Sequence, residues 1–382
     1  MRRISYIFVL LFTSIAFFSC EETVEDPFAE REKALTPAIS QYVNQTVIVT
    51  YRNLAGASID LYNAIAALKA DKTQANLNTA TEIWFASRKY WELSEAFLFG
   101  AASDFGIDPH IDTWPLDETA FNYEMANTGH IASMDSEDGD IWAADHLGPS
   151  LLGFHGIEYI LFENGIQKNV SAITDAQLTY AKAVAGDLRN QCIRLEAAWA
   201  GIDNVSSPKR ALIEEKELVV ERSNSDFSYG ENMINAGQSG STCKTVAKAA
   251  VDILSGCIDI SDEVGVTKIG TANSKENTDY IESPYSFNSL VDFVDNIKSI
   301  ENAYLGGSDA NNRGANISDF IKKNKPEVDN EVREAINNAI AKINAIPYPF
   351  VQNYDSPQAT LAIDACNVLT KALQKAKAVL EE

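Results

Sequence analysis

TPAISQYVNQTVIVTYRNLAGASIDLYNAIAALK, residues 36–69, carries apolar side chains at spacings of three and four residues, as at Tyr51, Leu54, Leu61, Ile65 and Leu68. This spacing places them on one face of an α-helix. Thr36 followed by Pro37 is typical of a helix N-cap and first turn. The stretch therefore predicts a long amphipathic helix that begins at about Thr36.

The same spacing recurs along the chain. It predicts helices near residues 74–99, 148–162, 174–199, 208–222, 241–263, 286–304, 327–345 and 357–380. Residues 101–144 mix proline and glycine with aromatic and acidic side chains, and they predict a long irregular connection, which is usually functional. No stretch has the alternating pattern of a strand flanked by hairpin signals. With a break near residues 201–208, we predict an all-α fold of two four-helix-bundle-like domains packed side by side, residues 36–204 and 205–382.

The composition is that of a globular, strongly acidic protein. Apolar residues make up 46% of the 382 residues, and 54 Asp and Glu against 31 Lys and Arg give a formal net charge of −23. Nucleic acids and anionic membrane surfaces bind positive faces, so the charge argues against both as partners. It suits a protein that binds cations, or one that only requires solubility.

The N-terminus has the features of an export signal. Arg2 and Arg3 precede an apolar run, residues 7–18, that is too short to span a bilayer. Ser19 and Cys20 end it in a pattern that resembles a bacterial lipobox, so residues 1–20 are predicted to be a lipoprotein signal peptide. Acylation of Cys20 would hold the protein at a membrane of the cell envelope, on the periplasmic or outer-membrane side, with residues 21–35 as an acidic tether. A secreted protein without a lipid is the alternative.

Four further cysteines do not form a zinc-ligand pattern. Cys192 and Cys366 lie in apolar helical runs and are predicted to be buried thiols. Cys243 and Cys257 are predicted to lie on one continuous helix, which would hold them too far apart to form a disulfide.

The sharpest chemical signal is the pair His155 and Glu158 in the apolar run 151–162. Residues three apart share a helix face, and an imidazole and a carboxylate placed in this way can bind one metal ion. A buried hydrogen bond between the two side chains is the structural alternative, because buried polar groups need a partner.

Two neighbouring segments add polar groups. Arg88, Trp91 and Glu95 follow a single helical stripe within residues 74–99. The loop 111–117 then presents Asp112 and Trp114.

Four blocks in this order resemble the imelysin family. They are SRKYWELSEAFLFG at residues 87–100, IDTWPLD at 111–117, GFHGIEYILF at 153–162, and SPYSFNSLVDFVDNIKSIENAYLGG with IPYPF at 283–307 and 346–350. The resemblance extends from about residue 36 to the end. It implies two four-helix bundles that share a site at their interface near the Gly-x-His-x-x-Glu motif.

The resemblance also implies the residues of that site. They are His155, Glu158, Glu95 and Asp112 as metal ligands, and Arg88, Trp114, Ser286 and Asp292 as ligand-binding or orienting residues. The other histidines, His110, His130 and His146, are predicted to be surface residues.

Three functions remain open. The favoured hypothesis, which the family resemblance implies, is a cell-envelope lipoprotein that binds a metal ion or iron complex for iron uptake, together with iron-transport components. One histidine among carboxylates is an oxygen-rich set that suits iron or manganese better than zinc. The second hypothesis is a metallopeptidase, although the chain lacks the His-Glu-x-x-His pattern of zinc peptidases. The third is a non-catalytic interaction protein, in which the polar stripe fixes domain packing.

Overall fold

The computed structural model describes residues 27–223 and 225–382 of the chain. The predicted signal peptide, Cys20 and the start of the predicted tether lie outside these residues. Within the described part, no helix is long and apolar enough to cross a membrane.

The described chain is almost entirely helical, as predicted. The first half contains α1 (Pro27–Gln41), α2 (Ile48–Ala70), α3 (Gln74–Glu92), α4 (Ala101–Asp104), α5 (Asp108–Asp112), α6 (Glu118–Ala126), α7 (Thr128–Met134), α8 (Gly139–His146), α9 (Gly153–Leu161) and α10 (Asp175–Ala200). The second half contains α11 (Ser207–Glu215), α12 (Tyr229–Ile234), α13 (Val246–Asp262), α14 (Gly270–Asn273), α15 (Ser289–Leu305), α16 (Ile317–Asn324), α17 (Pro326–Asn344), α18 (Phe350–Asn353) and α19 (Pro357–Glu381). A two-stranded antiparallel hairpin, β1 (Phe162–Glu163) and β2 (Ile166–Gln167), follows α9.

The long helices pack in two groups. Helices α2, α3 and α10 pack together in the first half, and α13, α15, α17 and α19 pack together in the second. Helix α15 also packs against α3, and α1 packs against α13, so the two groups are in contact. Buried apolar side chains form one connected cluster through both. The boundary between two domains at residue 204 stays a prediction.

The segment that was predicted to be a tether is partly helical. Helix α1 begins at Pro27 rather than at Thr36, and Leu35 is fully buried. The Glu32 carboxylate accepts hydrogen bonds from the backbone N–H groups of Val246 and Ala247, at 2.6 and 3.0 Å. The first N–H groups of a helix have no partner within the helix, so a carboxylate that accepts from them stabilises the start of α13. Residues 27–35 are therefore packed against the fold.

The helix predicted for residues 74–99 ends earlier, at Glu92, and a 3₁₀ turn at Glu95–Phe97 follows it. The Ser94 hydroxyl donates to the carbonyl of Trp91 at 2.6 Å, and the N–H of Ala96 donates to Ser299 Oγ at 3.0 Å. Side chains thus take over the backbone hydrogen bonds that would continue the helix.

Three other expectations need correction. Residues 101–144 are not irregular but contain five short helices, which caps at Asp117 and Asn127 help to start. The hairpin was not expected, although its Asn164-Gly165 turn, with φ of +51° and +80°, is a favoured hairpin turn. Cys243 precedes α13 rather than lying on one helix with Cys257, and the four described cysteines are free thiols. Cys192 and Cys366 are buried, as expected.

Candidate functional site

A close backbone contact sets the position of the motif helix α9 against α5. Gly153 has a φ of +67°, and a Cβ atom added there would lie 2.0 Å from the carbonyl oxygen of Ile111. Only glycine fits such a position without moving the neighbouring backbone. Since Ile111 precedes Asp112, the last residue of α5, this contact brings the Asp112 carboxylate next to α9.

His155 is buried between two carboxylates. Its Nδ1 lies 3.1 Å from Glu158 Oε2, and its Nε2 lies 2.9 Å from Asp112 Oδ1. Burial lowers the pKa of His155, but the hydrogen bonds to Asp112 and Glu158 outweigh it and raise the pKa to about 9. With a carboxylate at each ring nitrogen, the surroundings of His155 favour the protonated ring in the metal-free protein, and its role as a metal ligand stays a prediction.

Glu158 ties α9 to the second half of the chain. Its Oε1 accepts hydrogen bonds from the backbone N–H groups of Tyr285 and Ser286, at 3.1 and 2.8 Å. The Ser286 hydroxyl donates to the same oxygen at 2.7 Å. With His155 on its other oxygen, Glu158 has donors on both sides. Ser286, which was predicted to belong to the same site, thus contacts Glu158 directly.

Arg88, on α3, is fully buried among four carboxylates. Its guanidinium donates to Asp112 and, at 2.5 Å, to Glu282. Glu92 lies 2.5 Å from Nη2 and Asp292 lies 3.8 Å from Nε, although neither contact is aligned as a hydrogen bond. Burial lowers the pKa of Arg88, but these carboxylates outweigh it and raise the pKa. Arg88 is thus a fixed positive charge at the centre of the site.

Asp112 accepts hydrogen bonds from three side chains. Arg88 and His155 donate to Oδ1, and the Trp91 indole N–H donates to Oδ2 at 2.6 Å. Burial raises the pKa of Asp112, but Arg88 and His155 outweigh it and hold the pKa well below its usual range. Asp112 is therefore ionised. Trp114, in contrast, packs its ring against Tyr280, with centroids 4.1 Å apart.

Asp292 completes the predicted set from the second half. It accepts from the Ser283 hydroxyl and from the Asn288 amide, each at 2.5 Å. Burial raises the pKa of Asp292 to about 7, although Arg88 opposes this shift. Among the described residues, Asp292 and His155 share no hydrogen-bond partner.

Three members of the site were not foreseen: Glu92, Lys268 and Glu282. The Lys268 ammonium lies 3.0 Å from Glu282 and 3.8 Å from Glu92, and all three side chains are buried. Glu92 follows Arg88 by four residues, so the helical stripe contained a signal for it. Lys268 and Glu282 lie between the helices predicted for residues 241–263 and 286–304, and no local pattern distinguishes them.

Glu95 differs from the other carboxylates in having no hydrogen-bond donor among the described residues. It is 7% exposed, and its nearest cation is Lys268, at 3.9 Å. Burial raises the pKa of Glu95 well above its usual value; Lys268 opposes the shift, while Glu263, Asp112 and Asp108 add to it. Glu95 is thus a nearly buried carboxyl group whose surroundings favour the protonated form over the ionised one.

Two groups of side chains in the described chain converge closely enough to hold one ion, each with ligand atoms within 4.8 Å of one another. The first is Asp112, His155 and Glu282, and the second is Glu92, Glu95 and Asp112. Arg88 contacts Asp112 and Glu282 in the first group, and Asp112 and Glu92 in the second. What distinguishes the second group is Glu95, which has no hydrogen bond within the described part of the chain.

We call the whole cluster the buried polar site. It contains three basic side chains (Arg88, Lys268 and His155) and a larger number of acidic ones (Glu92, Glu95, Asp112, Glu158, Glu282 and Asp292). The excess of buried carboxylates attracts protons or a further cation. The remaining histidines lie outside this site: His110 contacts Asp187, His130 contacts Glu124, and His146 stacks on Trp142.

The fold and the site define a class of protein: an all-helical chain with a buried, carboxylate-rich polar site supplied by both of its helix groups. The chain belongs to the imelysin family, whose model, Peptidase_M75, matches residues 47–376.

Relatives and solved structures agree with this assignment. Iron-regulated protein A of Synechococcus elongatus is 25% identical over 325 residues, which cover 85% of this chain and 80% of the relative. A protein from Parabacteroides distasonis, named as an iron-regulated protein A precursor, has a crystal structure. Its sequence is 29% identical to this chain. It has a TM-score of 0.76, and the match covers 91% of this chain and 95% of that one. An imelysin-like protein from Psychrobacter arcticum shares the fold, with a TM-score of 0.62 at 14% identity over 91% of this chain and 94% of the other.

Proposed function

We propose that this protein binds a metal ion or a metal complex, with iron as the favoured metal, in the second ligand group of the buried polar site. The observation that carries the proposal is Glu95, a nearly buried carboxylate without a hydrogen-bond donor in the described chain. One ligand atom of Glu95 lies within 4.8 Å of ligand atoms of Glu92 and Asp112. A metal ion there would take the place of the proton on Glu95 and stabilise its ionised form.

The chemistry of the donors favours a hard cation. Glu92, Glu95 and Asp112 offer oxygen ligands only, a set that suits iron, manganese or magnesium better than zinc or copper. The names of two relatives, iron-regulated protein A and its precursor, support iron. Lys268, 3.8 and 3.9 Å from Glu92 and Glu95, would bind an anionic part of a metal complex.

The motif residues then have a positioning role in the proposal. His155 donates a hydrogen bond through Nε2 to Asp112. On the other side of the ring, Glu158 accepts a hydrogen bond from Nδ1 and so fixes the orientation of His155. Groups behind a metal ligand fix its orientation and often matter almost as much as the ligand. Arg88 serves Asp112 in the same way. This assignment makes His155 and Glu158 supports of a ligand and not ligands themselves.

The setting in the cell also belongs to the proposal. We infer an envelope protein anchored through Cys20, on the periplasmic or outer-membrane side, that passes iron to transport components. The signal-like residues 1–20 support it, and so does the acidic charge, which favours cations near the surface.

Metal content and affinity test the proposal. Protein lacking the predicted signal peptide would be purified without chelators and titrated with ferrous, ferric, manganous and zinc ions. We expect one ion per chain and a loss of affinity of more than about a hundredfold in Glu95→Gln, which exceeds the loss typical for a residue that only supports a ligand. His155→Asn should lose about tenfold to a hundredfold.

Asp60→Asn is the matched control, because Asp60 is an exposed carboxylate on α2. It should bind as the wild type does. Equal affinity of wild type and Glu95→Gln for every ion would contradict the proposal, and the buried polar site would then serve to pack the two helix groups together.

A further inference from the structure

A cavity separate from the buried polar site lies where α10 ends and α13 begins, with α12 between them. Its volume is about 320 Å³, within the range of small-molecule pockets. No member of the buried polar site lines this cavity. It is therefore a separate place where a ligand can bind.

The inner wall of the cavity is aromatic. Trp199 and Tyr229 are 1% and 7% exposed, with ring centroids 6.1 Å apart, and Phe99 lies 6.0 Å from Trp199. The Tyr229 hydroxyl donates to Asp104 at 2.7 Å, which fixes the orientation of its ring. Met233 adds an adaptable apolar side chain. This wall fits a flat apolar group.

One side-chain amide on the wall has a donor without an acceptor in the described chain. Asn232 is 8% exposed, and its Oδ1 accepts from the backbone N–H of Thr242 at 2.8 Å and from the Thr242 hydroxyl at 3.2 Å. These bonds fix the amide and leave Nδ2 without an acceptor among the described residues. Nδ2 is therefore free to donate to an acceptor atom of a ligand.

Two basic side chains, Arg222 and Lys244, line the rim of the cavity. Arg222 is held by the Thr242 hydroxyl at 2.9 Å and lies over the Tyr229 ring, 5.1 Å from its centroid. Lys244 is exposed beside it. In the described part of the chain neither has a carboxylate within 4.0 Å, whereas the third rim cation, Lys248, pairs with Asp252.

We propose that this cavity binds a small aromatic carboxylate. The ring would pack against Trp199 and Tyr229, and the carboxylate would accept from Asn232 Nδ2 and face Arg222 and Lys244. A charged acceptor forms stronger hydrogen bonds than a neutral one, so the anion should be preferred over its amide. This inference is independent of the metal site.

The probe is 2-naphthoate, titrated calorimetrically into the purified protein, with neutral 2-naphthamide as the matched ligand. We expect saturable binding of one naphthoate per chain, with 2-naphthamide at least about tenfold weaker. Asn232→Asp keeps the oxygen that Thr242 needs but replaces the donor with a negative charge. It should weaken naphthoate binding at least about tenfold, and so should Arg222→Gln at the rim.

Lys322→Gln controls for the loss of one exposed cation elsewhere, on α16, and should bind as the wild type does. Arg222→Gln and Lys244→Gln keep the test valid if Asn232→Asp does not fold. Three results would each overturn the proposal: no saturable binding at millimolar naphthoate, equal binding of the amide, or folded rim variants with unchanged affinity.

Discussion

Arg88 shows how strongly one residue can determine the stability of the site. Its guanidinium compensates Asp112, Glu92 and Glu282, all of which are buried. Removing one partner of a buried ion pair leaves the other charge unpaired in a medium of low polarity. We expect Arg88→Gln to lower the free energy of unfolding by about 3–5 kcal/mol, measured by urea denaturation at pH 7.

Arg52→Gln is the comparison for this prediction. The Arg52 side chain is 53% exposed and lies 3.4 Å from Glu196, so its loss should cost less than about 1 kcal/mol. If the two variants had equal stability, the charges around Arg88 would not depend on it.

Asp140 carries a second residue-scale prediction, which concerns pH. It accepts from Asn190 and Arg189, both at 2.9 Å, and from Lys216 at 3.3 Å. Burial raises the pKa of Asp140, but Asn190 and Lys216 outweigh it and hold the pKa below its ordinary value. A lowered pKa in the folded state stabilises the fold above the unfolded pKa, and this stability is lost as the pH falls through the folded pKa.

Asp140→Asn should therefore destabilise the protein by about 1–2 kcal/mol at pH 7. The difference from the wild type should shrink below about pH 4, where the unfolded carboxyl binds its proton. Thermal unfolding of both proteins between pH 7 and pH 3 measures it. A difference that stayed constant over this range would show that the ionised form of Asp140 is not the stabilising one.

At the scale of elements, the sequence predicted helices well where the signals are local. Helix α10 was predicted for residues 174–199 and forms at Asp175–Ala200, because Thr174 and Gln177 make a capping box and the apolar pattern is unbroken. The end of α3 was missed because the groups that end it include Ser299, which is distant in sequence. The same contrast holds for the site: Arg88 and His155 are in recognisable patterns, whereas Lys268 and Glu282 reach it only through tertiary packing.

The contact of α9 with α5 yields a prediction at this scale. A Cβ at position 153 would collide with the backbone of Ile111, and a φ of +67° disfavours any residue other than glycine. Gly153→Ala should cost about 2 kcal/mol or more and should also weaken metal binding, because α5 carries Asp112. Urea denaturation and metal titration measure the two effects.

Gly148→Ala is the matched substitution, since nothing lies within 4 Å of an added Cβ there and its φ is −69°. It should change the stability by less than about 1 kcal/mol. A loss in Gly148→Ala as large as in Gly153→Ala would contradict the role of the close contact.

For the whole molecule, the net charge of −23 affects how cation binding must be measured. Self-repulsion of so many carboxylates destabilises a compact state, and any salt reduces it. A rise in melting temperature on adding iron or manganese therefore has two sources, general screening and the specific site. Only the rise in melting temperature that comes from the specific site depends on the metal ligands and on the fraction of sites that hold an ion.

Occupancy separates the two sources. An ion that binds the folded state alone, at about a hundred times its dissociation constant, should raise the free energy of unfolding by about 2.7 kcal/mol. Glu95→Gln should lose the gain in free energy of unfolding that comes from binding at the site. It should keep the smaller gain from screening, because it removes a single negative charge from a large excess. Asp60→Asn removes the same charge from the surface and should keep both gains. Unfolding in the same concentration of ions, with sodium chloride of equal ionic strength as reference, measures the difference. If Glu95→Gln gained as much stability as Asp60→Asn, the stabilisation would come from the charge of the whole molecule and not from a site between its helix groups.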